Sequence, residues 1–277
     1  MIKIRKPQKP KSLVLFGNGI NCEYETAYTH RLVGFKPDFL HINDLMGNPR
    51  IIHSYSFINL PGGFLDGDDL GAAKAQAVRW KYQVIGDTGK RFIDEVVKFV
   101  GDGKIVLGIC NGFQLLIKTG LLPGFSSTDE TQPATLTFND SGKFEDRWVN
   151  LKVNPLSNCI FTRNMETVYL PVRHGEGKFV TDSADNLAKA QKGGHVALQY
   201  IDESGCITMA YPHNPNGSVE AIAGICDTTG RIFGLMPHPE AYVTYTQHPR
   251  WTREKLEKEG DGLKVFRNAF NYTMENR

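Results

Sequence analysis

The sequence predicts an α/β protein built on a doubly wound, mostly parallel sheet, with additional β structure in its second half. Three observations carry this reading. The apolar runs 12–16, 39–42, 57–60 and 104–109 are short and nearly unbroken, as in strands covered on both faces. Helical patterns separate them at 23–33, 72–82 and 89–100; in the last, Phe92, Val96 and Phe99 share a stripe while Lys90, Asp94 and Lys98 lie elsewhere. Beyond Gly124 the chain turns polar and turn-rich, then yields strand candidates at 148–153, 167–172, 195–201, 221–225 and 231–236. Residues 261–274 read as a closing amphipathic helix. Strands alternating with helices imply right-handed crossovers.

Composition narrows the class. The chain has 277 residues, 40% hydrophobic, enough for a sizeable core. No linker is long and polar enough to force a boundary, so the expected organisation is a flexible basic lead-in, 1–11, followed by one domain, 12–277. No apolar run reaches the length of a membrane span, and the basic start lacks a signal-peptide core, so a cytoplasmic setting is expected. Thirty-two basic residues nearly balance thirty acidic ones, which argues against a nucleic-acid binder. The five cysteines are odd in number, widely spaced and without a C-x-x-C pair, which argues against a disulfide framework or a structural zinc site; no metal site is expected.

The segment "GKIVLGICNGFQLL" places Cys110 between Gly108 and Gly112, where a strand pattern meets a helical one. G-x-C-x-G has the form of a nucleophile elbow, with sulfur in place of oxygen. The glycines answer a sharp turn and a neighbouring chain passing close by. The helix starting at Asn111 would aim free N–H groups and its positive end at the sulfur, favouring thiolate, and the same groups could hold an oxyanion. A buried cysteine in a tight turn is the plain alternative, so a base is needed. "LMPHPEAY" offers one: His238 and Glu240 flank Pro239, which is expected to hold the segment extended so that both side chains share one pocket wall. Glu240 would orient the imidazole and His238 would move the proton. A third piece, "NLPGGFLDGDDLGAAKA", puts Gly62, Gly63 and Phe64 just past a strand, where unshielded N–H groups could serve as a second oxyanion donor; an ordinary turn is the plain reading. Asp66, Asp68 and Asp69 follow as a solvated acidic loop, or one facing a partner.

Together these residues resemble the class I, triad-type glutamine amidotransferases. More narrowly, the chain is similar to the glutaminase subunits of phosphoribosylformylglycinamidine synthase. "PGGFLDGDDLGAAKA", "NCEYETAY", "RHGEGKF" and "NPNGSVEAIAGI" carry the narrower likeness, which runs from about Ser12 to the C-terminus. One departure is Ala241, where that family often has arginine. The resemblance implies a three-layer, flavodoxin-like α/β/α fold and hydrolysis of the glutamine side-chain amide through a thioester on Cys110, with His238 and Glu240 completing the triad. It also implies oxyanion or substrate contacts from Gly62, Gly63, Phe64, Asn111, Gln114, His174, Gly175 and Glu176. No cofactor is implied in this chain, since it lacks a phosphate loop; ATP and Mg are expected on a synthetase partner, and a small third subunit is left open. Two alternatives remain: a catalytically silent docking subunit, or a thiol hydrolase acting on another γ-glutamyl substrate.

Other motifs are set aside. "FGNGINC" has the outline of a dinucleotide loop, but Cys22 replaces the last glycine, and Asp38 and Asp44 are weak candidates for a ribose acid. Cys22, beside acidic Glu23, reads as structural or crevice-lining, and Cys159, Cys206 and Cys226 as core or near-surface residues. His213 reads as a turn residue, and no partner is assigned to His30, His41, His53, His195 or His248.

Overall fold

A computed structural model describes residues 9–86, 89–125 and 132–276. The chain runs β1 (Lys11–Phe16), α1 (Glu23–Val33), β2 (Lys36–His41), α2 (Ile42–Gly47), β3 (Phe57–Leu60), α3 (Lys74–Tyr82), α4 (Phe92–Gly101), β4 (Ile105–Ile109) and α5 (Asn111–Lys118). Then follow β5 (Ala134–Thr137), β6 (Glu145–Val153), β7 (Thr167–His174), β8 (Lys178–Thr181), α6 (Ala184–Lys192), β9 (Val196–Ile201), β10 (Ile222–Cys226), β11 (Ile232–Leu235) and α7 (Asp261–Glu275). Among the described residues no helix is long and apolar enough to cross a membrane.

One nine-stranded sheet has the order β2-β1-β3-β4-β11-β10-β9-β6-β7. The first five strands are parallel neighbours, in the 2-1-3-4-5 winding of flavodoxin-like sheets with β11 as the fifth. The last four strands pair antiparallel. A separate ribbon joins β5 to β8. Helices α1 and α7 pack together and α3, α4 and α5 form a second group, giving three layers. Between layers the core is aromatic: His30 stacks on Phe57 at 4.6 Å, and Trp80 meets Phe92 edge-on at 4.6 Å.

The expectation of strands covered on both faces holds for β3 and β4, which are buried throughout, but not for the second strand. β2 is the sheet edge and is only half-buried; it starts three residues earlier than expected, and Ile42 already begins α2. Within the expected lead-in, residues 1–8 lie outside the described residues, Pro10 is buried, and Lys11 already pairs with Lys36 in the sheet. Parallel pairing has one decisive effect. The carboxyl ends of β1, β3, β4 and β11 all open at the same edge, side by side, although β4 and β11 are far apart in the chain.

Candidate active site

Cys110 caps β4 with φ 50° and ψ −103°, a conformation that non-glycine residues avoid and that costs about 1–3 kcal/mol. The turn survives because its flanks can close. A Cβ on Gly112 would stand 2.0 Å from the Leu60 carbonyl oxygen of β3, and one on Gly108 would stand 2.6 Å from the Gly112 backbone. The close neighbouring chain expected from the sequence is therefore β3. The Cys110 N–H donates to Leu235 O on β11, and its thiol donates to Arg173 O at the end of β7, at 3.6 Å. Helix α5 begins at the next residue, so its first N–H groups open beside the sulfur.

β11 lies parallel beside β4, with Leu235 opposite Ile109, and three residues later comes His238. Its N–H donates to Pro171 O, and its Nδ1 lies 2.6 Å from Glu240 Oε1. Here one expectation is corrected. Residues Pro239–Ala241 form a single 3₁₀ turn rather than an extended segment, because proline at the first helical position suits a turn start as well as a strand. The turn still brings the two side chains together. Burial alone would push the imidazole pKa down, but the Glu240 carboxylate, with contacts to Cys110 and Cys22, raises it well above its ordinary value. The shift favours the protonated imidazole. Its Nε2 is buried without a hydrogen-bond partner and is left for the thiol of Cys110.

The glycines of the loop after β3 permit a close approach. A Cβ on Gly62 would lie 2.7 Å from His238 Cε1, so only glycine lets the ring stand there. The N–H of Phe64 is taken by Gly19 O and that of Leu65 by Asn111 Oδ1, whereas the Gly63 N–H makes no hydrogen bond among the described residues. Gly63 is thus an available donor and Phe64 is not; the Phe64 ring is exposed.

The remaining implied residues mostly build walls. Asn111 Nδ2 donates to Gln114 Oε1 at 3.0 Å, and Gln114 Nε2 donates to Glu176 O at 2.6 Å. The Glu176 carboxylate accepts from the Ala72 N–H. One chain of bonds therefore ties the β3 loop, the head of α5 and the segment after β7. His174 donates from Nδ1 to Asn139 Oδ1 at 3.0 Å; burial, then the charge on His238, lowers its pKa to about 3, so it is neutral, with Nε2 lacking a partner. Beside it, a Cβ at Gly175 would meet no atom within 4 Å, leaving open space.

Sequence reasoning missed one residue. Asn139 organises the turn after β7: its Oδ1 also accepts from Gly177 N and its Nδ2 donates to His174 O. Cys22, read as structural or crevice-lining, does line the crevice, with Sγ 4.0 Å from His238 Nδ1. Burial is the main reason its pKa is raised, with Glu240 and Glu25 adding to it against His238. The position of Cys22 at the end of the loop after β1, on the same edge as the elbow, was the available signal. The other thiols fall as expected: Cys159 and Cys226 are buried and Cys206 is exposed. All five histidines without an assigned partner do have one: His30 bridges Ser12 and Asn59, His53 pairs with Glu95, His195 Nδ1 donates to Cys226 O, and His41 and His248 accept at Nδ1 from the N–H groups of Asn43 and Arg250.

Comparison with known proteins agrees with this geometry. Residues 9–273 match the model of the CobB/CobQ-like glutamine amidotransferase domain. A phosphoribosylformylglycinamidine synthase subunit PurQ from Dehalococcoides mccartyi is 44% identical over 269 residues, spanning 96% of this chain and 99% of the relative. One from Methanococcus maripaludis is 38% identical, spanning 95% and 97%. A chain in the structure of PurLQS from Thermotoga maritima superposes with a TM-score of 0.69 at 30% identity, covering 96% of this chain and 99% of that one. With a strained elbow cysteine beside a buried His–Glu pair, and with likeness running through nearly its whole length, the chain belongs to the CobB/CobQ-like glutamine amidotransferase family, among its PurQ subunits.

Proposed function

We propose that this chain is the glutaminase subunit of a phosphoribosylformylglycinamidine synthase, acting in purine biosynthesis. It hydrolyses the glutamine side-chain amide and hands the ammonia to a synthetase subunit. The observation that carries the chemistry is the buried His238–Glu240 pair, set just past the strand that runs beside the elbow. The Cys110 thiolate adds to the amide carbon, and the oxyanion turns to the Gly63 N–H and the first N–H groups of α5. His238 gives its proton to the departing nitrogen, which leaves as ammonia. A γ-glutamyl thioester remains. The now neutral His238 takes a proton from water, the hydroxide attacks the thioester, and glutamate leaves with the thiolate and imidazolium restored.

His174, Gly175 and Glu176 would border the glutamine backbone, chiefly through main-chain groups and the open side of Gly175. The Glu176 carboxylate, already tied to Ala72, acts as a brace. We read residues 12–277 as one amidotransferase domain, supported by a single sheet that contains strands of both halves. ATP and Mg would belong to the synthetase partner, and the setting would be cytoplasmic like the pathway.

The test is Cys110→Ala in the reconstituted synthase. Glutamine-dependent synthesis should fall by at least about 10³-fold, while synthesis from added ammonia continues. Mass spectrometry after diazo-oxo-norleucine should place the adduct on Cys110. Persistence of glutamine-dependent synthesis in the variant would return the chain to a docking role.

A further inference from the structure

Three donor atoms of different chemistry converge at the Nδ1 side of His238. Cys22 Sγ stands 4.0 Å from Nδ1, Glu240 Oε1 stands 2.6 Å from it, and one donor atom from each of the three residues falls within 4.8 Å of the others. All three side chains are buried. They arrive from the ends of β1 and β11, so nothing in their sequence spacing resembles a metal motif.

We propose that Cys22, His238 and Glu240 form an inhibitory site for one Zn²⁺ ion. A thiolate, an imidazole nitrogen and a carboxylate make a donor set that suits tetrahedral zinc, whereas Mg²⁺ and Ca²⁺ require oxygen ligands. Zinc bonds of about 2.0–2.3 Å place tetrahedral donors roughly 3.3–3.7 Å apart. The His238–Glu240 gap must therefore open and the Cys22 gap must close, each by less than about 1 Å. A further observation supports a place for the ion. Glu240 Oε2 is buried without a hydrogen-bond partner, so the carboxylate has ligand capacity to spare.

Binding releases two protons, one from the Cys22 thiol and one from Nδ1. Zinc then sits between one thiolate and one carboxylate, and the buried cluster is electrically balanced. The fourth position is left to water. The remaining proton sits on Nε2 of a neutral, metal-bound imidazole, a far weaker acid than imidazolium, so His238 cannot protonate the departing nitrogen and never becomes free to take a proton from the hydrolytic water. This inhibitory consequence rests on the role proposed above for His238; zinc binding itself does not.

The experiment uses the full chain carrying Cys110→Ala and Cys206→Ser, which removes the nucleophilic thiol and the exposed one. Zinc is titrated against a chromophoric chelator. One ion per chain is expected, and adding Cys22→Ser should weaken binding by at least about 100-fold. Co²⁺ in the parent chain should give a thiolate charge-transfer band, which reads the sulfur ligand without relying on how the Cys22 variant folds. Absence of stoichiometric zinc, absence of the cobalt band, or unchanged affinity after Cys22→Ser overturns the site and leaves the role of His238 intact. In the unmodified chain, zinc should suppress glutamine hydrolysis, and a chelator should restore it. Cys22-dependent binding with undiminished hydrolysis overturns the inhibition, and with it the role of His238 as base.

Discussion

The two halves of the sheet are built differently and do different work. In the parallel half, β3, β4 and β11 are buried at every position, whereas β6, in the antiparallel half, interleaves buried with more exposed residues. The parallel half delivers Cys22, Gly62, Cys110 and His238 from four neighbouring strand ends. The antiparallel half delivers main-chain groups and braces: Pro171 O anchors the His238 backbone, Arg173 O faces the thiol, and Asn139 supports the turn after β7. The difference teaches that reacting groups gather where parallel strands and a helix start open together. Long antiparallel strands are free to shape the wall around them.

This division of labour can be broken or sharpened by substitution. The largest effect is expected from Glu240→Gln, about 10³-fold in kcat. The same change should move the alkaline limb of the pH profile to lower pH. The carboxylate holds His238 above its ordinary pKa, and the charged form that protonates ammonia is lost as pH rises through that value. An unmoved alkaline limb would detach His238 from the leaving group. Next is Gly62→Ala, whose new methyl meets the imidazole; a loss of about 10²-fold in kcat is expected from displacement of the ring. A fully active alanine variant would show that the ring has room to move.

In the other half, Asn139→Ala should raise KM for glutamine about 10-fold with kcat nearly unchanged, because it loosens a wall and leaves the reacting groups alone. Steady-state kinetics decide this, and a kcat loss as large as that of Glu240→Gln would erase the contrast between the halves. The smallest effect is shared by both. His30, between β1 and β3, and His174, at the end of β7, are buried and neutral, each with a pKa lowered to about 3. In the unfolded chain they protonate near the ordinary value of about 6.5. Their contribution to stability is present above that value and is lost as pH falls towards 3. Chemical denaturation across that range should show stability declining from this source, and replacing either histidine should flatten the decline.

The parallel half was legible in the sequence because burial on both faces forces unbroken apolar runs, and because a tight elbow demands glycine. The bounds expected for α1 and β3 are those observed. The misses share another physical character. Only Ala190 of α6 is buried, so that helix carries almost no apolar stripe; its legible mark was Ser183, which caps it by accepting from the Asn186 N–H. β5 and β8 are four residues each and pair only with each other, in surroundings rich in polar residues. Cys110, His238 and Glu240 were readable because each stands at a marked turn. Asn139 was not, because its partners come from a strand that pairs far along the chain.

The neighbouring placement of β4 and β11 has a consequence for synthesis of the protein. The thiol leaves the ribosome long before the imidazole that serves it, with the whole antiparallel half still to be made. Until the segment around Ile232–Leu235 arrives, β4 offers a bare apolar edge and its cysteine has no base. A stalled or clipped product would thus be inert towards glutamine yet prone to stick.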